Sequence, residues 1–374
     1  MLKKTKVKIP IVDLAQQFKE TNKNILKRWQ KVLRKGVFIS GPNTRAFESS
    51  FARFTRSKYS KSVASGTDAL RLALTAAGIG KNDEVITPSF TFVASAMVIA
   101  QLQAKPVFVD IDEETYNINS QKIEPAITKK TKAILPVHLF GQPANMTDIL
   151  KIAKTYKLKV IEDSAQAHGA TLGGKPAGSL GDIAAFSFYP TKNLGSFSDA
   201  GMVTTNNKDY FKHLQKLSNY GFDPRYFSHE LGFNSRIDEL QAVWLLAYLK
   251  HLKTWNTRRR SLAKRYLSLL KDLPIKLPAE KEGFYHVYHI FAILTPNRDK
   301  LQKFLSSKGI TTLVHYPFPI HVQPAFKYLK TKKLPESEKV AKQILSLPIY
   351  PQLSHKNQDY ICYCIKDFYQ KNGR

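Results

Sequence analysis

Lys192 sits in the run Phe186-Ser187-Phe188-Tyr189-Pro190-Thr191-Lys192-Asn193-Leu194-Gly195, whose other members are apolar, small or uncharged. Lysine is seldom buried. A buried lysine loses part of its preference for the charged form, which frees the amine for Schiff-base chemistry with a carbonyl. Upstream, Lys159-Val160-Ile161-Glu162-Asp163 reads as a strand that ends on a carboxylate, followed by Ser164-Ala165-Gln166-Ala167-His168-Gly169. A carboxylate at a strand's C-terminal end, next to Gln and His, suits a cationic ring nitrogen or a metal. One carboxylate and one His are too few ligands for a convincing metal site. A third signal is Ser65-Gly66-Thr67-Asp68, which follows a strand and opens a helix. Ser65 can cap that helix, Asp68 gives it the form of a capping box, and Gly66 lets an anion approach the free N–H groups at the positive helix end. Taken singly, Asp163 is equally well a capping Asp and Ser65 an ordinary N-cap.

Taken together, the three signals describe one demanding ligand. Pyridoxal phosphate (PLP) requires a lysine of this kind, a carboxylate for its pyridinium nitrogen and a cup for its phosphate. Lys192, Asp163, and Gly66-Thr67 with Ser187 fit those roles. Competing nucleotide motifs are missing: no G-x-G-x-x-G follows the first strand, and no G-x-x-x-x-G-K-[ST] occurs. Cys362 and Cys364 flank Tyr363 in a C-x-C too short and isolated for a zinc site, so they read as packing residues in a reducing compartment, and no metal is expected.

Positioning these groups needs a particular frame. From about residue 55 strand-like and helix-like segments alternate. Ser62-Val63-Ala64 runs into helical Ala69 to Leu74, and Val85-Ile86-Thr87 into Val93 to Ala104. Pro106 to Asp110 is β-branched, Ala133 to Val137 precedes a helix over Ile149 to Tyr156, and the strand Lys159 to Asp163 follows. Short apolar runs separated by helices predict an α/β fold with a mostly parallel sheet covered on both faces, its ligands outside the carboxyl ends of the strands. After Gln241 the pattern changes. Helices over Ala242 to Leu252 and Leu262 to Leu270 are predicted on either side of Arg258-Arg259-Arg260, then a strand near Val287 to Leu294, a helix near Leu301 to Ser306 and a Pro-rich stretch from Tyr316 to Pro324. The expected division is a large domain over 1–245, with an N-terminal arm, and a smaller α+β domain over 246–374.

The chain has 374 residues, 43% apolar and 23% charged, proportions that exclude collagen, coiled coil and disordered polymer. Its 58 Lys+Arg against 29 Asp+Glu leave +29, a balance that attracts polyanions and nucleotides. The basic residues are spread along the whole chain, so a lysine-rich solvated surface is the simpler reading. Met1-Leu2-Lys3-Lys4 is basic, but no apolar segment follows it, so no signal peptide is expected. Val85 to Ala104 carries no charge and is long enough to span a bilayer. Thr87-Pro88-Ser89 interrupts it and Gln101 and Gln103 end it, so a strand, a turn and a buried helix are expected and the protein is placed in the cytoplasm, off the membrane.

The chain resembles the DegT/DnrJ/StrS family of sugar aminotransferases, PLP-dependent enzymes of fold-type I. The resemblance runs from Ser40-Gly41-Pro42 to Leu347-Pro348-Ile349-Tyr350-Pro351 and rests on four blocks in order: Ser65 to Leu70, Glu162 to Gln166, Phe186 to Gly195, and Gly232-Phe233-Asn234-Ser235-Arg236-Ile237-Asp238-Glu239-Leu240-Gln241-Ala242. It implies that Lys192 forms the Schiff base with pyridoxal 5'-phosphate and moves the proton, that Asp163 keeps the ring nitrogen protonated, and that Gln166 bonds the phenolic oxygen. Gly66, Thr67 and Ser187 would hold the phosphate. Phe92 occupies the place of an aromatic that stacks on the ring, although a core Phe in an apolar helix fits the local sequence equally well. Asn234 would reach the phosphate of the neighbouring subunit, making a homodimer with shared active sites. Tyr220, Arg236, His315, Tyr316 and His321 would face the substrate, whereas His286 and His289 read as packing or surface residues.

The implied reaction moves an amino group from L-glutamate to a nucleotide-linked keto sugar. Tyr189-Pro190-Thr191-Lys192 lacks the His-Pro of members that aminate C4, and so points to C3 of a 3-keto-6-deoxyhexose. A C4 aminotransferase and a cyclitol-type aminotransferase are the alternatives within the family. The chain departs from the family at Ser198-Asp199-Ala200-Gly201, where glycines are usual, without losing a reactive group. Relatives that are dehydratases carry His at the lysine, and Lys192 argues against that activity. From another class, the net charge would suit a basic regulatory or nucleic-acid-binding protein, but no zinc finger, RNP-like motif or basic heptad array is present, so no nucleic-acid partner is expected.

Overall fold

The structure, a computed structural model, describes residues 8–372, so Met1-Leu2-Lys3-Lys4 lies outside the described residues. Two helices, α1 (Leu14–Lys35) and α2 (Pro42–Thr55), precede the sheet. The main sheet has seven strands: β1 (Tyr59–Val63), β2 (Glu84–Pro88), β3 (Lys105–Val109), β4 (Thr131–Ile134), β5 (Lys159–Asp163), β8 (Ile183–Ser187) and β9 (Gly201–Thr205). A short hairpin of β6 (Thr171–Leu172) and β7 (Lys175–Pro176) interrupts the series. Strand order is β1-β9-β8-β5-β4-β2-β3. The β8-β5-β4-β2-β3 ladders are parallel, and β9 runs antiparallel to both its neighbours. The α/β fold with a mostly parallel sheet is thus the one expected, and α3 (Gly66–Ala76), α4 (Ala94–Gln101), α5 (Met146–Tyr156) and α6 (Lys208–Leu217) cover it.

Strand burial follows the logic of a covered sheet: β2 and β9 are buried at every position, on both faces, rather than at alternate ones. The uncharged stretch Val85 to Ala104 resolves into β2, a turn and the buried α4, as expected. No helix among the described residues is long and apolar enough to cross a membrane.

The largest difference from the predicted elements lies after Gln241. The helices are α7 (Glu239–Leu249) and α8 (Leu252–Leu270), so the three arginines sit inside α8 instead of between two helices. The reason is a stripe of Trp255, Asn256, Arg259, Leu262, Ala263, Tyr266 and Leu270, all buried, at helical spacing. Arg259 belongs to that stripe; Arg258 and Arg260 point away from it and pair with Glu20 and Glu280. Beyond α8 lie β10 (Phe284–Tyr285), β11 (Phe291–Leu294), α9 (Arg298–Ser307), α10 (Pro335–Gln343), β12 (Ile344–Leu347) and α11 (His355–Asn372), with β11 and β12 paired antiparallel. A separate apolar core gathers Tyr266, Phe291, Leu305, Ile365 and Phe368 with Ile9 from the N-terminal segment. Cys362 and Cys364 are free and buried in that core.

Candidate active site

The carboxyl ends of the strands open into a cavity of about 490 Å³. Four sequence-predicted elements meet there. Helix α3 starts at its edge: Ser65 Oγ accepts from the Asp68 N–H at 3.1 Å, so the cap forms as expected. Only half of the capping box does. The Asp68 carboxylate accepts instead from Ser235 Oγ at 2.6 Å and from Arg71. Gly66 and Thr67 line the cavity in the first turn, where backbone N–H groups have no intrahelical acceptor. A Cβ on Gly66 would lie 2.4 Å from Ser187 Cβ, so only glycine lets the helix start approach the end of β8 this closely.

Lys192 follows β8 in a loop folded back on itself. The Lys192 N–H donates to the Tyr189 carbonyl at 2.8 Å and the Ser196 N–H to the Phe188 carbonyl at 2.7 Å. The turn is closed so tightly that a Cβ on Gly195 would meet the Pro190 carbonyl oxygen at 2.2 Å. Asn193 anchors the loop by donating to Asn256 Oδ1 at 2.9 Å and to the Val287 carbonyl, and Trp244 Nε1 donates to the Gly195 carbonyl at 2.9 Å. Loss of hydration inside the cavity brings the Lys192 amine down to about 8 from the usual lysine range, against the attraction of the Asp163 carboxylate. No carboxylate among the described residues makes an ion pair with it.

Asp163 is 5% exposed at the end of β5. Its Oδ2 accepts from Ser95 Oγ at 2.8 Å and its Oδ1 from the Ala165 N–H at 3.2 Å. Burial nonetheless pushes its carboxyl above the usual range, with the Ser95 bond opposing. A cationic nitrogen beside it would restore the ionised form. Gln166 is fixed from both ends: its Oε1 accepts from the Phe140 N–H at 2.7 Å and its Nε2 donates to the Tyr316 hydroxyl at 3.0 Å. A carboxylate, an oriented amide, a helix start and an amine of lowered basicity around one cavity fit a flat, anionic, aldehyde-bearing cofactor with a basic ring nitrogen.

Lys192, Asp163, Gln166, Gly66, Thr67, Ser187, Phe92, His315 and Tyr316 all line this cavity. Phe92 precedes α4 and is 53% exposed, so the core-Phe reading does not hold. His321 does not line the cavity. Its Nδ1 bonds Ser89 Oγ, just past β2, at 2.7 Å and its Nε2 lies 3.3 Å from Glu338 Oε1 in α10, so both ring nitrogens are engaged between these two elements. Asn234, Arg236 and Tyr220 form a group of their own away from the cavity lining: Arg236 bonds Asn234 Oδ1 and, at 2.9 Å, Asn219 Oδ1, and its guanidinium lies 5.7 Å from the Tyr220 ring centre. His286 packs, stacked 3.9 Å from Tyr288.

His289 departs from its expected packing or surface role: it lines the cavity beside Lys192, and its ring faces Asn193 Oδ1 at 3.2 Å. Burial and the Lys192 charge hold the imidazole well below its usual range, and the same two causes bring His315 to about 4. The wall nearest the lysine is therefore neutral. Ser95, Thr91 and Tyr189 were also missed, and nothing in their local sequence singles them out.

A mostly parallel α/β sheet with a half-buried lysine and a buried strand-end carboxylate at its carboxyl edge defines a fold-type I transferase. The chain belongs to the DegT/DnrJ/EryC1/StrS aminotransferase family, which it matches over residues 19–366. A Geobacillus stearothermophilus protein named as a pleiotropic regulatory protein is 45% identical, covering 97% of this chain and 99% of its own length. The UDP-N-acetyl-3-dehydro-alpha-D-glucosamine 3-aminotransferase of Acidithiobacillus ferrooxidans is 44% identical, over 92% of this chain and 94% of its own. Among solved structures, DesV of S. venezuelae in complex with a ketimine intermediate superposes with a TM-score of 0.94 at 40% identity, covering 96% of this chain and 98% of DesV.

Proposed function

We propose that this protein is a PLP-dependent sugar aminotransferase that moves an amino group from L-glutamate to a nucleotide-linked keto sugar, at C3 of a 3-keto-6-deoxyhexose. The observation that carries the reading is the convergence of Lys192, Asp163, Gln166 and the Gly66–Thr67 helix start on one cavity. Lys192 would hold the cofactor aldehyde, Asp163 its ring nitrogen and Gln166 its phenolic oxygen. Gly66, Thr67 and Ser187 would take its phosphate, and Phe92 would stack on its ring. When bound, PLP supplies an electron sink that makes a proton on the substrate carbon labile.

Everything else is work for the chain's own side chains. With its basicity lowered to about 8, the Lys192 amine can both accept and return a proton near neutral pH. Ser95 holds the Asp163 carboxylate facing the cavity, and the neutral His289 and His315 avoid placing a second cation beside the amine. His315 and Tyr316, on the same wall, would meet the hydroxyls next to the ketone.

The reading includes a homodimer with shared sites. Asn234 and Tyr220 are exposed on this protomer, and Leu231 (95% exposed), Tyr226 and Phe227 form an apolar surface around them that a second copy would cover. Asn234 would then reach the neighbour's cofactor phosphate, with Tyr220 and Arg236 near its sugar. C3 is favoured over C4 by the absence of a His-Pro before Lys192 and by the 3-amino chemistry in the name of the Acidithiobacillus relative. Amine transfer from glutamate to a panel of nucleotide-linked keto sugars, with NMR of the product, is the test. Nitrogen at C4 with the 3-keto sugar untouched would overturn the regiochemistry. A colourless protein that PLP cannot reconstitute would overturn the enzyme.

A further inference from the structure

Beside the Lys192 cavity lies a second, smaller chamber of about 80 Å³. Thr191, His289, Ile290 and His315 line both, so the two share a wall. The rest of the chamber is largely apolar, built from Ile11, Val12, Leu313, Leu347 and Ile349, with two exceptions: Ser346, whose Oγ bonds His315 Nδ1 at 2.9 Å, and Arg259, on the buried stripe of α8.

Arg259 is 3% exposed, and no carboxylate among the described residues pairs with it. Its Nη1 donates to the Ile349 carbonyl at 2.7 Å and, at 3.4 Å, to the carbonyls of Tyr288 and His289, while its Nε is buried with no partner. A guanidinium presents five donors in a fixed fork and matches a carboxylate by geometry. Removing a charge from water is costly unless an anion or several acceptors meet it. The neighbouring arginines of the same helix have such anions in Glu20 and Glu280; Arg259 has only carbonyl oxygens. Its guanidinium is held down at about 9 by burial, as a cation lacking its counter-charge should be.

We infer that the Arg259 chamber is the subsite for the side-chain carboxylate of a dicarboxylic amino donor, with the apolar walls taking its methylene arm and Arg259 its far end. The inference rests on the aminotransferase reading, which puts the donor's reacting carbon beside Lys192. It adds to that reading the group that selects glutamate over an amino acid without an acidic side chain. The chamber is small beside the lysine cavity, and the four residues the two share place it next to the donor's reacting carbon.

The test uses the PLP-loaded full-length protein and glutarate, which has two carboxylates on an aliphatic arm but no amine to react. Wild type should bind glutarate by calorimetry, and Arg259→Gln should weaken that binding about tenfold or more, with Arg259→Lys in between. In the half-reaction with amino acid alone, Arg259→Gln should raise the KM for L-glutamate by a similar factor and leave that for L-alanine within about twofold. Leu313→Phe, at the half-exposed wall, narrows the chamber with the arginine in place and should reproduce the glutamate-selective loss, which keeps the inference testable if Arg259→Gln fails to fold.

Equal losses with glutamate and alanine, unchanged glutarate binding in both variants, or no glutarate binding by wild type would overturn the subsite. Wild type that binds glutarate through Arg259 but transaminates with no amino acid would overturn the aminotransferase reading and leave the subsite standing.

Discussion

Glu162 and Asp163 are neighbours on β5, both buried, and they have opposite fates. Successive side chains of a strand face opposite sides of the sheet. Glu162 turns away from the cavity and is fully engaged: its Oε1 accepts from the Leu180 and Gly181 N–H groups at 2.8 and 2.7 Å, its Oε2 from the Gly178 N–H at 2.8 Å and from His138 Nε2 at 2.9 Å. Because His138 Nδ1 accepts from the Ala144 N–H, the ring proton sits on Nε2 and points at the carboxylate. Asp163 turns toward Lys192 and receives two donors, leaving lone pairs that face the cavity. A carboxylate with every acceptor position filled is a structural knot. One left half-filled in a buried place is reserved for a ligand.

Substitutions should separate the two sides of the sheet. The largest effect is expected at the cavity's reactive amine: Lys192→Ala should abolish transamination while its thermal unfolding stays close to wild type, because no other amine lines the cavity. Full activity in the purified variant would refute the assignment. Next comes Asp163→Asn, which should retain PLP by absorbance yet lose about a hundredfold or more in amine transfer, since a neutral amide cannot stabilise a protonated ring nitrogen.

Across the sheet, Glu162→Gln should show the reverse pattern. It sets an amide NH₂ against backbone donors and should cost about 1–3 kcal/mol of stability in denaturant, with the kcat of folded enzyme near wild type. If the Glu162 variant keeps its stability and loses turnover, the contrast between the two carboxylates is wrong. If the site is shared between two copies as proposed, Asn234→Ala should weaken cofactor retention, and mixed dimers of Asn234→Ala with Lys192→Ala should regain part of the activity. Absence of complementation in dimers shown to have formed would count against it.

The mildest expected effect is on pH. A lysine amine lowered to about 8 is protonated below that value and free above it. Capture of PLP by cofactor-free protein, read from the new absorbance band or borohydride trapping, should therefore speed up as pH rises toward about 8 and level off beyond it. A profile still rising toward pH 10 would mean that the cavity does not desolvate Lys192.

The side of the sheet that carries the ligand was the more legible in sequence. Asp163 and the Ser65–Thr67 cap are recognisable from residue type at a strand end and a helix start, because local backbone geometry puts such residues at the carboxyl edge, and Lys192 stands out as the lysine of an uncharged run. Phe92, His315 and Tyr316 came only through the family resemblance. Ser95 and His289 were missed, for they arrive by long-range packing that leaves no periodicity: Ser95 lies in α4 and His289 just before β11. The β9 strand was missed as well. So was β8: no helix separates the two, so they fall outside the strand–helix alternation by which the equally short β2, β3 and β5 are read. Arg259 could have been found from the stripe Trp255, Arg259, Leu262, Tyr266, had the three arginines not been read as a break between helices.

The sheet register bears on how the protein is made. β1 pairs with β9, Tyr59 opposite Thr205, and the cavity is walled by residues from Ser65 to Tyr316. During synthesis the first strand therefore waits, without its partner, until more than half the chain has left the ribosome. The pocket itself cannot close until the His315–Tyr316 wall has emerged. Long-range pairings of this kind fold slowly and leave apolar strand surface open to wrong partners in the meantime. Expression at lower temperature or with chaperones should raise soluble yield more than any substitution in the cavity, and PLP in the growth medium should help only after the chain is released.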